Sequence, residues 1–204
     1  MSSDRPEPDP ALVQEALSRF DAENAGDPHQ EADSGQWLPR ELLYARRLTG
    51  WVLRLCPDAS AELVLAARCQ HLRRWEIPRN SYPLTRPGYL KWREDLKQFH
   101  ARRAGEILRD TGLPQPVIDR VQQLVLKRLF PHDPESRILE DALCLVFLEF
   151  QLAELASKTP GEKVLTALKK SWGKMSEAGR AEALKLNLPP REAALLKRAL
   201  EEPV

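Results

Sequence analysis

Residues 138–150 read ILEDALCLVFLEF, an apolar run broken only by the acidic pair Glu140–Asp141 and by Glu149. So little polar surface predicts a helix from Ser136 to Ala156 lying at the centre of a core. A carboxylate buried alone is costly, so the acidic pair calls for a cation, a donor network or a metal. Neighbouring residues on a helix point about 100° apart, so one acid can reach solvent while the other faces inward. Leu145 and Leu148, four and seven steps after Asp141, put Asp141 on the core-facing side.

Outward from this segment the spacing stays helical. Prolines 131 and 134 separate it from a helix over Pro116–Phe130, and Gly112 and Pro114 end a longer one running from about Tyr89 to Thr111. Pro39 opens a helix carrying Leu42, Leu43, Leu48, Trp51, Val52 and Leu55, which Pro57 stops. Asp58 or Ser60 caps the next, which leads up to His71 and Trp75 and ends at Pro78. Thr159 to Glu202 reads as three amphipathic helices broken near Gly173 and at Pro189–Pro190. No strand-like alternation is visible, and the fold class expected is all-α. Residues 1–38 read as an acidic arm, with a short helix over Val13–Phe20 and a weakly ordered lid from Asp21 to Gly35. Residues 39–158 form the helical core, and residues 159–204 form helices packed on it.

The net charge of +1 is unevenly spread. Residues 1–41 hold three Arg against ten acids, whereas residues 68–109 hold eleven Lys and Arg against four acids. A basic centre behind an acidic arm suits an anionic partner, with the arm shielding that surface when the partner is absent; the plainer reading is ordinary solvated helix faces. Cys56, Cys69 and Cys144 form no CxxC pair, which fits reduced thiols of a core. No apolar run is long enough for a membrane helix and the first ten residues do not resemble a signal peptide, so a cytoplasmic protein with no membrane partner is expected. Phosphate loops of the GxxxxGK or GxGxxG type are missing from the sequence.

Chemistry-bearing residues cluster in the middle of the chain. His71, after an apolar helix, and His100, on the long helix with Arg93 and Arg103, are either hydrogen-bonded core residues or ligands, and with Asp141 they make a three-ligand metal set. The loop EIPRNSYPLTRPG (76–88) and its flanks supply Arg74, Arg79, Arg86 and Arg93 to grip phosphate, and Trp75, Tyr82, Tyr89 and Trp92 to stack a base. The bland alternative is that the aromatics are core and the arginines sit in water. His132–Asp133, between prolines, reads as a loop whose aspartate caps a helix.

The order of these features resembles the HD superfamily of all-helical, metal-dependent phosphohydrolases. AARCQHLRR resembles the segment of the His-Asp doublet, FHARRAGEIL the next His-bearing helix and LEDALCL the closing Asp helix. The chain departs from that pattern at two places: Gln70–His71 stands where His-Asp is expected, and Tyr44 falls where the first His would be. Over residues 40–150 the phrases RCQHLRRWEIPR, YPLTRPGYLKWR, FHARRAG and LEDALCLVFLEF more closely resemble the family catalogued as domain of unknown function 4202. The HD resemblance implies an HD-like bundle with additional C-terminal helices and a phosphohydrolase acting on a nucleotide or other phosphorylated small molecule. Zn, Mn or Mg would be held by His71, His100 and Asp141, with Gln70 or Glu76 orienting the water. The competing expectation is a non-catalytic module that binds a nucleotide, RNA or a protein.

Overall fold

Asp9 starts the first helix, its carboxylate accepting the Ala11 N–H at 2.9 Å with proline in the first turn. In this computed structural model, which describes residues 7–201, that helix, α1, spans Pro10–Ala25. Ala16 and Phe20 are fully buried, and α1 packs on the three helices that follow it. Two strands come next, β1 (Gln30–Asp33) and β2 (Gln36–Pro39), paired antiparallel with Gln30 opposite Pro39 and Asp33 opposite Gln36. Their two-residue turn, Ser34–Gly35, has positive φ at both positions (49° and 83°), the geometry that continues the natural strand twist. The expectation of weak order from Asp21 to Gly35 is therefore corrected. The polar stretch is held by its own turn chemistry and by Arg47, which ion-pairs with Glu31 and with Asp33. Residues 1–6 of the expected arm, and residues 202–204, lie outside the described residues.

The remaining helices are α2 (Arg40–Leu55), α3 (Ala61–Arg68), α4 (Arg86–Asp110), α5 (Gln115–Val125), α6 (Pro134–Val146), α7 (Leu152–Lys158), α8 (Gly161–Lys174), α9 (Glu177–Ala183) and α10 (Pro190–Glu201). Ten helices and one hairpin among the described residues make the class all-α. Helices α2 to α6 surround one core, with α2 against α3 and α6, and α5 against α3 and α4. Leu48, Leu63, Leu65, Leu108, Ile118 and Leu145 are nearly inaccessible there. Each such side chain contributes about 1.5–3 kcal/mol by leaving water. Cys69 and Cys144 are buried, Cys56 is partly so, and all three are free thiols. Helices α8 and α9 pack on α6, and α10 pairs with α8. No helix among the described residues is long and apolar enough to cross a membrane.

Two departures from regular helix shape the middle of the molecule. Helix α3 stops at Arg68, earlier than the spacing predicts, and the chain turns through Arg73 in a left-handed conformation (φ 48°) before a short 3-10 turn at Arg74–Glu76. The expected single helix over Ser136–Ala156 is instead α6, a five-residue π-helical turn at Phe147–Gln151, and α7. Wider turns of this kind re-aim side chains and are frequent at functional sites. Helix α2 grips this one: the Trp51 Nε1–H donates to Glu149 at 2.7 Å, and the Arg47 guanidinium lies 4.0 Å over the Phe150 ring.

Candidate functional site

Helix α2 places Glu41 and Tyr44 one turn apart on the face turned to the chain beyond α3. His71 fills the space between them. Its Nδ1 lies 3.0 Å from Glu41 Oε2, and its ring stacks on Tyr44 with centroids 4.0 Å apart and planes 8° apart. An ionised carboxylate only accepts, so Nδ1 carries the proton and the neutral ring keeps its lone pair on Nε2. Burial pushes the His71 pKa below the ordinary histidine range, although Glu41 pulls the other way. Burial alone would raise the Glu41 carboxyl; His71, Arg74 and Arg40 outweigh it and hold the group below its usual value. The backbone N–H of Glu41 donates to the buried Asp27 carboxylate at 3.0 Å, which fixes the start of α2.

His100 comes from α4, 3% exposed, its ring centroid 5.7 Å from that of His71. Burial, then the neighbouring His71 and Arg74, keep its pKa well below the usual range. Its Nε2 and the Nε2 of Gln70 are buried without a hydrogen-bond partner. Both residues, with Tyr44 and His71, line one cavity of about 600 Å³. An unpartnered buried polar atom is rare, because it forfeits its hydration with nothing in return.

The charge of this cavity is one-sided. Arg74, Arg93, Lys97, Lys127, Lys170 and Lys174 line it, against Glu140 alone among its acidic lining residues. Lys127 projects from a left-handed residue (φ 56°), and the left-handed Arg73 immediately precedes Arg74, so at both places strained backbone helps to bring a cation, Lys127 or Arg74, to the same space. Glu140 ion-pairs with Lys127 and, at 3.0 Å, with Lys174. Burial depresses the Lys127 pKa, with Glu140 opposing. Arg74 lies 3.6 Å from Glu41 and 5.2 Å from the centre of the Trp92 ring.

The predicted residues divide. His71, His100, Gln70, Arg74, Arg93, Tyr89 and Trp92 all line the cavity. Asp141 does not. It is buried on another side of α6, accepting the Ser176 N–H at 2.8 Å on one oxygen and the Ser176 hydroxyl on the other. Its inward orientation is as the spacing predicts, but inward at that position means the start of α9. Glu76 is exposed and ion-pairs with Arg73 at 2.7 Å, away from the lining. Arg79 donates to the Tyr82 and Pro83 carbonyls at 3.0 and 2.8 Å and so staples its own loop. Arg86 is exposed in the first turn of α4, and the Tyr82 hydroxyl donates to Asp95 at 2.9 Å. Asp133 caps α6, accepting the Ser136 N–H at 2.8 Å.

The metal set therefore does not assemble. Two of its members face each other, the third is sealed under α9, and no three His, Cys, Asp or Glu among the described residues are grouped to hold an ion. Of the carboxylates close by, Glu41 is engaged with His71 Nδ1 and Arg74, and Glu140 is held by two lysines, in surroundings that repel a divalent cation. The residues present do not fit a metal bound by His71, His100 and Asp141. Sequence spacing gave no signal for Lys127, Lys174 or Phe147 as lining residues; Glu41 lay within one helical turn of Tyr44, which the comparison of motifs had already singled out.

A family model described as "Domain of unknown function (DUF4202)" matches residues 14–196. The chain belongs to this family. No curated protein and no solved structure matches it. The DUF4202 match runs from α1 into α10 and so takes in every residue of the cavity lining.

Proposed function

We propose that this DUF4202 protein binds a phosphorylated small molecule in the cavity between α2, α4 and α6. The observation that carries the reading is the pairing of six lysines and arginines against one acid with a buried, unpartnered amide nitrogen, Gln70 Nε2, in the same cavity lining. Phosphate oxygens meet both needs: they take charge-assisted hydrogen bonds from Arg and Lys and accept from an amide N–H. An HD-like descent belongs to the same proposal. It is supported by the positions of Tyr44, Gln70–His71, His100 and Glu140, which fall in or beside the four segments of that motif order and line one cavity. A metal held by His71, His100 and Asp141 is not part of it.

Hydrolysis of the bound ligand is a second reading, favoured by the Glu41–His71 pair. A carboxylate on Nδ1 fixes the tautomer that leaves Nε2 free to take a proton from water, the arrangement of a general base.

Calorimetric titration with pyrophosphate and with nucleoside phosphates tests the first reading. Removing one exposed cation, Arg93→Ala or Lys170→Ala, should weaken binding about tenfold with the melting temperature unchanged. Absence of binding, or binding indifferent to both substitutions, overturns it. Phosphate release in the same samples, lost in His71→Asn with affinity kept, is the expected outcome for the second reading.

A further inference from the structure

The cavity has a neighbour. A second space of about 430 Å³ opens on the other side of the Tyr44–His71 stack, and Tyr44, His71, Arg74, Phe147 and Gln151 wall both. The two chambers differ in chemistry. The first is cationic. The second pairs its charges internally, Arg40 with Glu154 at 2.9 Å and Arg47 with Glu31, and its floor is apolar, formed by Val146, Phe147, Phe150 and Leu155. An anion gains little in such a space, whereas a flat, uncharged, polar-edged group is served twice: by aromatic surface and by carboxylates that accept from its N–H and O–H groups. The π-helical turn makes the junction, because it sets Phe147 and Gln151 where both chambers reach them and Phe150 into the second.

We infer that the ligand is a nucleoside polyphosphate, with its phosphates in the cation-lined chamber and its nucleoside in the chamber floored by Phe147 and Phe150. The inference rests on the phosphate-binding reading above and adds to it the second half of the site. Arg74, which walls both spaces, sits where the phosphate chain meets the nucleoside. Glu31, Glu41 and Glu154 are the acceptors available to ribose hydroxyls or a base amine.

The test compares inorganic tripolyphosphate with nucleoside triphosphates by calorimetric titration of the whole chain. The wild type should bind at least one nucleoside triphosphate about tenfold or more tighter than tripolyphosphate. Phe150→Ala, which removes the floor, and Glu154→Trp, which fills the chamber from its exposed rim, should both erase that preference. Tripolyphosphate affinity should stay the same in both variants, which also certifies that they are folded. Equal affinity for the two ligand types in the wild type, or a preference surviving in both variants, overturns the two-chamber site and leaves phosphate binding standing. Failure of every ligand to bind overturns both.

Discussion

Glu140 and Asp141 are adjacent carboxylates, each 4% exposed, with separate tasks. Glu140 meets two lysines at the cavity, while Asp141 ties α6 to α9 through Ser176. Gly179 completes that tie: a Cβ there would come within 2.5 Å of Asp141 Oδ1. Replacing Asp141 by alanine strands the part-buried Ser176 donors and should cost about 1–2 kcal/mol. Urea unfolding should show that loss in Asp141→Ala and a comparable one in Gly179→Ala, while ligand affinity stays at the wild-type value. A collapse of affinity with unchanged stability would return Asp141 to the site. At this scale the sequence was half legible. Periodicity says which way a side chain points, and for Asp141 it was right; it cannot say which element waits there. His71 and His100 could be singled out because a histidine beside an apolar helix needs a partner, but Glu41 as that partner required the chain to turn at Arg73.

Elements were legible where chemistry punctuates them. Prolines and Ser, Thr or Asp caps mark the starts of α1, α3, α4, α6 and α9. The π turn and the hairpin were not legible. A π turn has the same composition as the helix it interrupts, and the hairpin strands are too short and too polar to alternate visibly. Arg120 shows how element ends are joined. From α5 it reaches Asp133, the cap of α6, at 2.8 Å and Glu135 at 3.1 Å, while Glu135 also accepts from Ser60, the cap of α3. Its side chain is 11% exposed, so Arg120→Met leaves two carboxylates poorly compensated and should lower stability by roughly 2 kcal/mol. Chemical denaturation measures this directly; a variant as stable as wild type would show that the two helix starts hold without it.

Across the whole molecule, the contrast between an acidic beginning and a basic middle is largely internal bookkeeping of charge. Arg68 pairs with Asp21 at 3.0 Å and Arg103 with Glu23 at 2.7 Å, so α1 is fastened to the basic helices as part of the core, not laid over a ligand surface as a lid. Protonation gives the global stability its pH dependence. His71 and His100 both have depressed pKa values, with burial the main cause. Unfolded imidazoles take up protons near pH 6.5 and the folded ones resist, so the unfolded state binds more protons as pH falls and stability is lost downward from about 6.5. Glu41 and Glu140, held below the usual carboxylate range once their cations outweigh burial, should add a further loss below about pH 4.3. The urea midpoint should decline from pH 6.5 to 5, and His100→Gln should flatten that decline. A midpoint unchanged between pH 7 and 5 would contradict the assignment.

The grip of Lys127 and Lys174 on Glu140 makes this carboxylate a resident competitor. Any incoming anion must out-compete a tethered rival for the same two ammonium groups, so occupancy depends on multivalent contact and not on charge alone. If the cavity takes phosphate as proposed, a small single anion such as chloride is at a disadvantage there against a ligand that engages several of the cations at once.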